Sequence, residues 1–221
     1  NTENLTLTGA NALDGEGNFF ANTLTGNDAA NLLDGAAGAD TLVGGDGDDT
    51  YVVDNSGDVV TEAAGHGVDT ILTSVSRTLD AEVENGVLTG HTAIDLTGNA
   101  LANTITGNSA ANTLTGGLGA DVFVFNQALG GANVDTITDF TAGEDSMHLS
   151  AATFTGLSVG ALDGSAFHIG VGADASDQHI IYNDTTGALY FDGDGDGAGG
   201  QVQFAALSAG LALTAADFQV I

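Results

Sequence analysis

The chain has 221 residues, of which 30 are acidic and one, Arg77, is basic, giving a formal net charge of -29. This charge disfavours nucleic acid as a partner, because one Arg cannot neutralise a phosphate backbone, and it disfavours an anionic membrane surface unless a cation bridges the two. Apolar residues make up 43% of the sequence, which favours a folded core over disorder. The absence of Cys excludes disulfides and thiolate metal sites. The sequence also contains no uninterrupted apolar run long enough to predict a membrane span.

The first residues already belong to a long internal repeat. ENLTLTG, residues 3–9, aligns with ENGVLTG, residues 84–90, and roughly 24 of 41 aligned positions from Glu3 onward are identical. Self-similarity at a fixed spacing is the signature of a repeat architecture. The sequence starts inside a repeat unit and lacks the basic and apolar regions of a secretory signal peptide, so we expect a piece of a longer protein.

A shorter repeat of nine residues lies inside the long one. Four copies run without a gap from Gly17 to Val52, and three run from Gly98 to Val124. Positions one, two and four favour Gly, Ala or Asn, which tolerate tight turns. Position six is always Asn or Asp, namely Asn22, Asn31, Asp40, Asp49, Asn103, Asn112 and Asp121. Position eight is always large and apolar, namely Leu24, Leu33, Leu42, Tyr51, Ile105, Leu114 and Phe123. Each copy therefore predicts a six-residue turn and a three-residue strand with one inward side chain.

This pattern resembles the glycine-rich nonapeptide G-G-x-G-x-D-x-apolar-x of the RTX, or hemolysin-type, calcium-binding repeat family. GGDGDDTYV, residues 44–52, and GGLGADVFV, residues 116–124, match all of its named positions. The resemblance implies an all-β fold, a parallel β-roll in which two nonapeptides complete one coil and turns two nonapeptides apart stack. By this rule, the stacked pairs are Asn22 with Asp40, Asn31 with Asp49, and Asn103 with Asp121.

The resemblance also implies several calcium ions between the stacked turns, held by position-six side chains and by carbonyl groups of the glycine turns. The residues so assigned are Asn22, Asn31, Gly35, Gly38, Asp40, Gly44, Gly45, Asp46, Gly47, Asp49, Asn103, Asn112, Gly116, Gly117, Gly119 and Asp121. Calcium suits such oxygen donors, and magnesium, which demands stricter geometry, is the second choice. Asp and Asn also cap turns without any ion, but capping alone does not explain the strict nine-residue spacing.

The position-six residues depart from the family pattern in part. Four of the seven are Asn, and the first two copies of each array lack the paired glycine. Amide oxygens bind calcium less strongly than carboxylates do. We therefore expect these turns to be weak sites or coils without an ion.

The segment between the arrays, residues 53–97, contains runs rich in Val, Ile, Leu and Thr at residues 58–61, 70–75 and 93–96. Such runs predict strands that extend the same sheet. Asp54, Asp58 and Asp69 are candidates for additional carboxylate ligands, but solvated turns are the expectation for them.

After Phe125 the nine-residue period stops. VDTITDFTAGEDSMHLS, residues 134–150, resembles the segment that follows the repeats in RTX proteins, and a roll needs a cap because its last coil otherwise exposes an apolar face. We therefore predict a first array with linking strands over residues 1–97, a second array over 98–125, and a β-rich C-terminal cap over 126–221.

The cap contains a further acidic motif, YFDGDGDGAGGQVQF, at residues 190–204. Asp192, Asp194 and Asp196 fit the first half of an EF-hand loop, but Gln203 replaces the Glu expected at its twelfth position. We interpret the motif as a hairpin turn that binds calcium.

The chain ends in Asp217 followed by Phe218, Val220 and Ile221. An acidic residue before a few apolar ones resembles the uncleaved C-terminal signal of proteins exported by type I secretion machinery. A last strand docked on the core is an equally good interpretation and is compatible with the first.

No enzyme signature appears in its required context. The sequence has no H-E-x-x-H helix. GLSVG, residues 156–160, matches the letters G-x-S-x-G but is not followed by the helical pattern that a nucleophile elbow requires, and the five His residues share no spacing. We predict that this chain is not an enzyme.

The first functional hypothesis is a calcium-binding module that folds on meeting extracellular calcium and supports the type I secretion of a larger exported protein of the Gram-negative bacterial kind. A second is an adhesin, biofilm-matrix or surface-layer domain that binds polysaccharide or cell surfaces. Tyr182, Tyr190 and Phe191, near the acidic motif, are available to stack on sugars if they are exposed, but burial in the core is the expectation for them. A third is the non-catalytic tail of an extracellular protease, lipase or polysaccharide-modifying enzyme.

Overall fold

Each nine-residue repeat folds as a tight turn followed by a strand of three or four residues. The computed structural model describes residues 3–131, 133–197 and 199–221. Over these residues the strands are β1 (Asn4–Thr6), β2 (Asp14–Glu16), β3 (Thr23–Thr25), β4 (Leu32–Asp34), β5 (Thr41–Val43), β6 (Thr50–Val53), β7 (Val59–Thr61), β8 (Thr70–Thr73), β9 (Arg77–Thr78), β10 (Asn85–Leu88), β11 (Leu96–Thr97), β12 (Thr104–Thr106), β13 (Thr113–Thr115), β14 (Val122–Phe125), β15 (Asp135–Ile137), β16 (Ser146–Leu149), β17 (Gly160–Ala161), β18 (Phe167–Ile169), β19 (Ile180–Asn183), β20 (Ala188–Phe191), β21 (Val202–Ala206) and β22 (Phe218–Val220). The helices described there are two 3-10 segments, Gly164–Ala166 and Ala215–Asp217, and no helix has the length and apolar character needed to cross a membrane.

Strands two repeats apart pair in parallel, so the chain winds into a β-solenoid of about seven turns. Thr23 of β3 pairs with Thr41 of β5, and Thr104 of β12 pairs with Val122 of β14. Both pairings join equivalent positions two repeats apart, so two nonapeptides make each coil. The predicted all-β parallel β-roll is confirmed.

The described strands form three sheets. The first wall of the roll is a ten-stranded sheet in the order β17-β22-β16-β14-β12-β10-β8-β6-β4-β2, which runs through both repeat arrays. The other wall is divided into a four-stranded sheet, β1-β3-β5-β7, and an eight-stranded sheet, β18-β19-β20-β21-β15-β13-β11-β9. The division between β7 and β9 lies in the segment that links the arrays, which we call the junction (residues 53–97).

Arg77 bridges the divided wall at the junction. Its Nη1 donates to the carbonyl oxygen of Asp58, the residue before β7, at 3.0 Å, and its Nε donates to Asp80 Oδ2 at 3.0 Å. The side chain is 9% exposed. A buried charge is tolerated only when it is paired, and these two acceptors supply the pairing.

The interior of the roll is filled by the position-eight side chains. All seven predicted inward residues are 0–1% exposed, namely Leu24, Leu33, Leu42, Tyr51, Ile105, Leu114 and Phe123. Removal of this apolar surface from water supplies the main driving force for stacking the coils.

Stacking continues through the junction and beyond Phe125. The predicted strands at 58–61 and 70–75 are observed as β7 and β8, whereas of the predicted strand at 93–96 only Leu96 lies in a strand, β11. β15 pairs in parallel with β13, and β16 pairs in parallel with β14, although neither follows the nine-residue pattern. The coils of the roll therefore continue beyond the residues that show the nine-residue repeat.

The C-terminal part covers the last coils with an antiparallel hairpin and a docked strand. β19, β20 and β21 pair antiparallel, and the acidic motif connects β20 to β21, as expected for a hairpin turn. Phe154 packs edge-on against Phe191 and Phe204 with ring centroids 5.3 and 5.1 Å away. β22 pairs parallel to β16 and antiparallel to β17, so the expected docking of the last strand is confirmed.

Candidate metal sites in the stacked turns

The position-six side chains form a hydrogen-bonded ladder along the roll. The backbone N–H of one coil donates to the carboxylate of the next coil at 2.7–2.8 Å, from Asn22 to Asp40, from Asn31 to Asp49 and from Asn103 to Asp121. These six residues are 1–4% exposed. The three stacked pairs predicted from the resemblance are therefore adjacent in the fold.

The ladder includes carboxylates outside the predicted set. Their Oδ1 atoms accept backbone N–H groups at 2.8–3.0 Å, from Asp40 to Asp58, from Asp49 to Asp69, from Asn112 to Asp135 and from Asp121 to Asp145. The expectation that Asp58 and Asp69 lie in solvated turns is wrong, because both are buried, whereas Asp54 is exposed. Asp58 continues the nine-residue period after Asp49, but a two-residue insertion displaces Asp69 from it and hides that residue from a search at fixed spacing.

The asparagine turns are closed by their own hydrogen bonds. The position-two N–H donates to the position-six Oδ1 at 2.7–2.9 Å, from Asn18 to Asn22, Asn27 to Asn31, Asn99 to Asn103 and Asn108 to Asn112. The amide NH2 groups donate to carbonyls of the preceding coil, from Asn31 to Leu13, from Asn103 to Val83 and from Asn112 to Ile94. An amide can donate where a carboxylate cannot, so the amide itself connects these coils.

The aspartate turns have a different backbone. Their position-two residues adopt the left-handed region, with φ of 55° at Ala36, 109° at Gly45 and 103° at Gly117. The N–H of Ala36 donates to Asp34 and that of Gly117 to Asp139, which are not position-six residues. In the part of the chain that the structure describes, the Oδ2 atoms of Asp40 and Asp49 are buried without a hydrogen-bond partner.

Burial makes these carboxylates costly to ionise. It raises the pKa of Asp49 to about 6, and the charges of Asp69 and Asp48 contribute to the rise. Burial also raises the pKa of Asp121 to about 6 and is the largest cause of the raised pKa of Asp40. A buried anion without a partner is unfavourable, and a hard cation that takes oxygen ligands supplies the partner. The aspartate turns therefore fit calcium.

The glycine residues assigned to the sites lie in the same turns. Gly38, Gly47 and Gly119 have φ of 148°, 110° and 108°. A Cβ on Gly47 would lie 2.7 Å from the carbonyl carbon of Ala29 in the preceding coil, so glycine is required there for the close approach of two coils. Calcium ligation by the carbonyls of these turns stays a prediction.

Three of the carboxylates predicted to bind calcium, Asp46, Asp194 and Asp196, are exposed instead of facing the interior of the roll. The side chain of Asp46 is 57% exposed and contacts His66. In the hairpin, Asp192 is buried, but Asp194 and Asp196 are exposed. Asp194 accepts the N–H of Gly199 at 2.8 Å, a hydrogen bond that closes the turn internally. Calcium binding by the hairpin stays a prediction.

The aromatic residues near the hairpin do not form an exposed platform. Tyr182 is fully buried and its hydroxyl donates to the carbonyl of Ser208 at 2.8 Å. Phe191 is 7% exposed. The expected burial in the core is therefore observed for Tyr182 and Phe191, which leaves neither free to stack on sugars, and Tyr190 is half-buried.

A family comparison agrees with this geometry. The family model of the RTX calcium-binding nonapeptide repeat matches residues 16–51 and 97–137, in four copies. The fold is thus that of a repeat-built calcium-binding β-roll. The chain carries hemolysin-type RTX repeats, as the nonapeptides indicated. No curated protein matches the chain.

Proposed function

We propose that this chain is the non-catalytic folding module of a larger exported protein, and that calcium bound in the aspartate turns completes its fold outside the cell. One observation carries the proposal. The Oδ2 atoms of Asp40 and Asp49 are buried and have no donor among the described residues, whereas the equivalent asparagine turns are closed by hydrogen bonds. The aspartate turns need an ion, and the asparagine turns do not.

The charge of the chain makes folding conditional on that ion. A net charge of -29 opposes compaction when no cation is bound. Each occupied site contributes RT ln(1 + [Ca]/Kd), roughly 2.7 kcal/mol at a hundredfold excess over Kd. Ordinary domains have a stability of about 5–15 kcal/mol, so a few sites suffice to switch folding on.

The position of the C-terminal strand supports export before folding. Phe218 and Val220 are buried in β22, which has a paired strand on each side. A secretion machine of type I that reads this segment therefore has access to it only while the chain is unfolded. Low calcium inside the cell keeps the segment accessible, and calcium outside the cell then drives the chain into the roll.

The proposal is tested by following folding of the purified chain as calcium is added. Circular dichroism and size-exclusion chromatography are expected to show an expanded chain in EGTA and a compact β-rich protein in millimolar calcium. Millimolar magnesium serves as the matched control for ionic strength and charge. A compact structure that persists after exhaustive chelation would contradict the proposal.

A further inference from the structure

The space above the position-one glycine holds the same two groups in three of the four asparagine coils; above Gly107, Asp135 Oδ2 takes the place of the carbonyl oxygen. A Cβ on Gly17, Gly26 or Gly98 would overlap the position-six amide oxygen of its own coil and the carbonyl oxygen of the position-one glycine two nonapeptides later. In these coils, therefore, one side-chain oxygen faces one backbone carbonyl.

The arrangement changes above Gly44. The residue two nonapeptides later is Glu62, and its side-chain Oε1 occupies the place of the carbonyl oxygen. Asp49 Oδ2 and the hydroxyl of Tyr51 lie in the same space. A glutamate thus stands where the neighbouring coils have glycine, and its carboxylate is directed into the turn below.

Asp69 adds a third carboxylate from the next coil. Oxygen atoms of Asp49, Glu62 and Asp69 all lie within 4.8 Å of one another. Across residues 3–131, 133–197 and 199–221, this is the one group of three or more His, Cys, Asp or Glu side chains in such an arrangement. Two of the three residues, Glu62 and Asp69, lie outside the segments that match the repeat family.

Three side-chain oxygens in this cluster lack a hydrogen-bond partner, although other carboxylate oxygens of the same residues accept backbone N–H groups. Asp49 Oδ2, Glu62 Oε1 and the Tyr51 hydroxyl oxygen are buried and lack a hydrogen-bond partner among the residues described. Asp49 and Tyr51 are 1% and 0% exposed. Native proteins rarely leave buried polar groups unpaired, and each such group calls for a ligand or another explanation. The unpaired hydroxyl of Tyr51 lies in the same space as the oxygens of Asp49 and Glu62 and is an observation independent of the acidic cluster.

We propose that Asp49, Glu62 and Asp69, with the Tyr51 hydroxyl beside them, form a carboxylate-rich divalent cation site where the first array meets the junction, and that the Glu62 carboxylate there replaces the glycine carbonyl of neighbouring coils. All the donors are oxygens, which excludes a preference for zinc or copper. Calcium accepts this irregular oxygen set more readily than magnesium, which requires near-octahedral geometry. The identity of the ion as calcium rests on the proposed function.

The location gives the site a structural role. Asp49 precedes β6, Glu62 follows β7 and Asp69 precedes β8, so one ion would tie the last turn of the first array to two segments of the junction. On the other wall, the sheet is divided between β7 and β9. The ion would therefore fasten the roll where its backbone pairing is incomplete.

The first test counts calcium ions on the full chain by native mass spectrometry at saturating calcium. Glu62→Gln is expected to hold one ion fewer than the unaltered chain. Glu16→Gln, at an exposed glutamate of β2, is the matched control and is expected to hold the full number.

The second test uses terbium, a hard cation that replaces calcium at oxygen sites and emits when a nearby tyrosine is excited. The chain has no Trp and three Tyr, so the difference in emission between the unaltered chain and Tyr51→Phe isolates the contribution of Tyr51. We expect this contribution to disappear in Glu62→Gln and to persist in Glu16→Gln.

The outcomes separate this inference from the proposed function. An unchanged ion count in Glu62→Gln, together with unchanged Tyr51-dependent emission, would overturn the junction site while leaving calcium-dependent folding intact. Folding of Glu62→Gln at lower calcium concentrations than the unaltered chain requires, with an unchanged ion count, would also overturn it. An unaltered chain that binds no calcium would contradict both proposals.

Discussion

The asparagine turns and the aspartate turns occupy equivalent places in the stacked coils, but their position-six side chains differ in the hydrogen bonds that they can donate. The two kinds of turn are joined by a backbone N–H that donates to the carboxylate of the next coil, as from Asn31 to Asp49. Asn31 also donates its own amide hydrogens to Leu13 and Asn27, whereas the carboxylate of Asp49 has none to donate. The hydrogen bonds that close the asparagine turns therefore need no ion, and we expect the calcium dependence of the fold to come from the aspartate turns.

The largest effect is expected from converting aspartate turns into asparagine turns. The double variant Asp40→Asn, Asp49→Asn keeps the Oδ1 acceptors but removes two carboxylates, so it should lose roughly 5 kcal/mol of calcium-dependent stabilisation at a hundredfold excess over Kd. Urea unfolding at a series of calcium concentrations that keep the unaltered chain folded measures the difference. Asp28→Asn, at an exposed acidic residue, is the control. An unaltered calcium response of the double variant would show that these turns do not bind the ion.

A smaller effect is expected from opening an asparagine turn. Asn103→Ala removes a buried amide that donates to the carbonyls of Val83 and Glu84 and accepts the N–H of Asn99. Leaving such groups unsatisfied costs about 1–3 kcal/mol. The loss should be the same at saturating calcium and at the lowest calcium concentration that keeps the chain folded, by urea unfolding under both conditions. Asn126→Ala, at an exposed position, should change little; a loss confined to saturating calcium would place an ion at Asn103.

The pH dependence of the calcium-free protein distinguishes the two kinds of turn further. Burial raises the pKa of Asp49 and Asp135 to about 6 in the folded chain, above the ordinary value near 4. Their protonated forms favour the fold, so stability is fully present below about pH 4 and is lost as the pH rises through about 6. Thermal unfolding in EGTA between pH 4 and 7.5 should show this decline. Asp49→Asn should flatten it, and a stability that instead rises over this interval would contradict the assignment.

The smallest effect concerns the backbone at position two. Ala36 has φ of 55°, a left-handed conformation that is unfavourable for a side chain. Ala36→Gly should therefore stabilise the protein by up to about 1 kcal/mol. Asn27→Gly, at the equivalent position of an asparagine turn, should destabilise it, because Asn27 donates to the carbonyl of Asn11. Thermal unfolding of both variants in calcium tests the contrast, and equal shifts would mean that the two turn types do not differ in backbone strain.

The periodic part of the structure could be predicted from the sequence because its period is visible there. Leu33 and Phe123 fall at position eight and are buried, and the stacking of Asn103 on Asp121 follows from two nonapeptides per coil. The junction could not be predicted in this way. The two-residue insertion before Asp69 breaks the register, and nothing local distinguishes Glu62 from a solvated glutamate.

Other features depend on the hydrogen-bond partners that only the fold brings together. The sequence identifies Asn112 as a weaker calcium ligand, but the carbonyl of Ile94 that receives its amide belongs to the preceding coil. The burial of Tyr182 depends on the carbonyl of Ser208 across the cap. Residue type indicates what a side chain can donate or accept, and tertiary structure decides whether it does so.

Arg77 determines where proteases that cleave after basic residues can cut this protein. The chain has one such position, and in the folded roll that side chain is 9% exposed and paired with Asp80. Trypsin therefore has one bond to attack, between Arg77 and Thr78, and that bond lies in strand β9. A single cut on the C-terminal side of Arg77, giving two fragments, would report the opening of the junction, while a folded chain would pass through the same digestion intact.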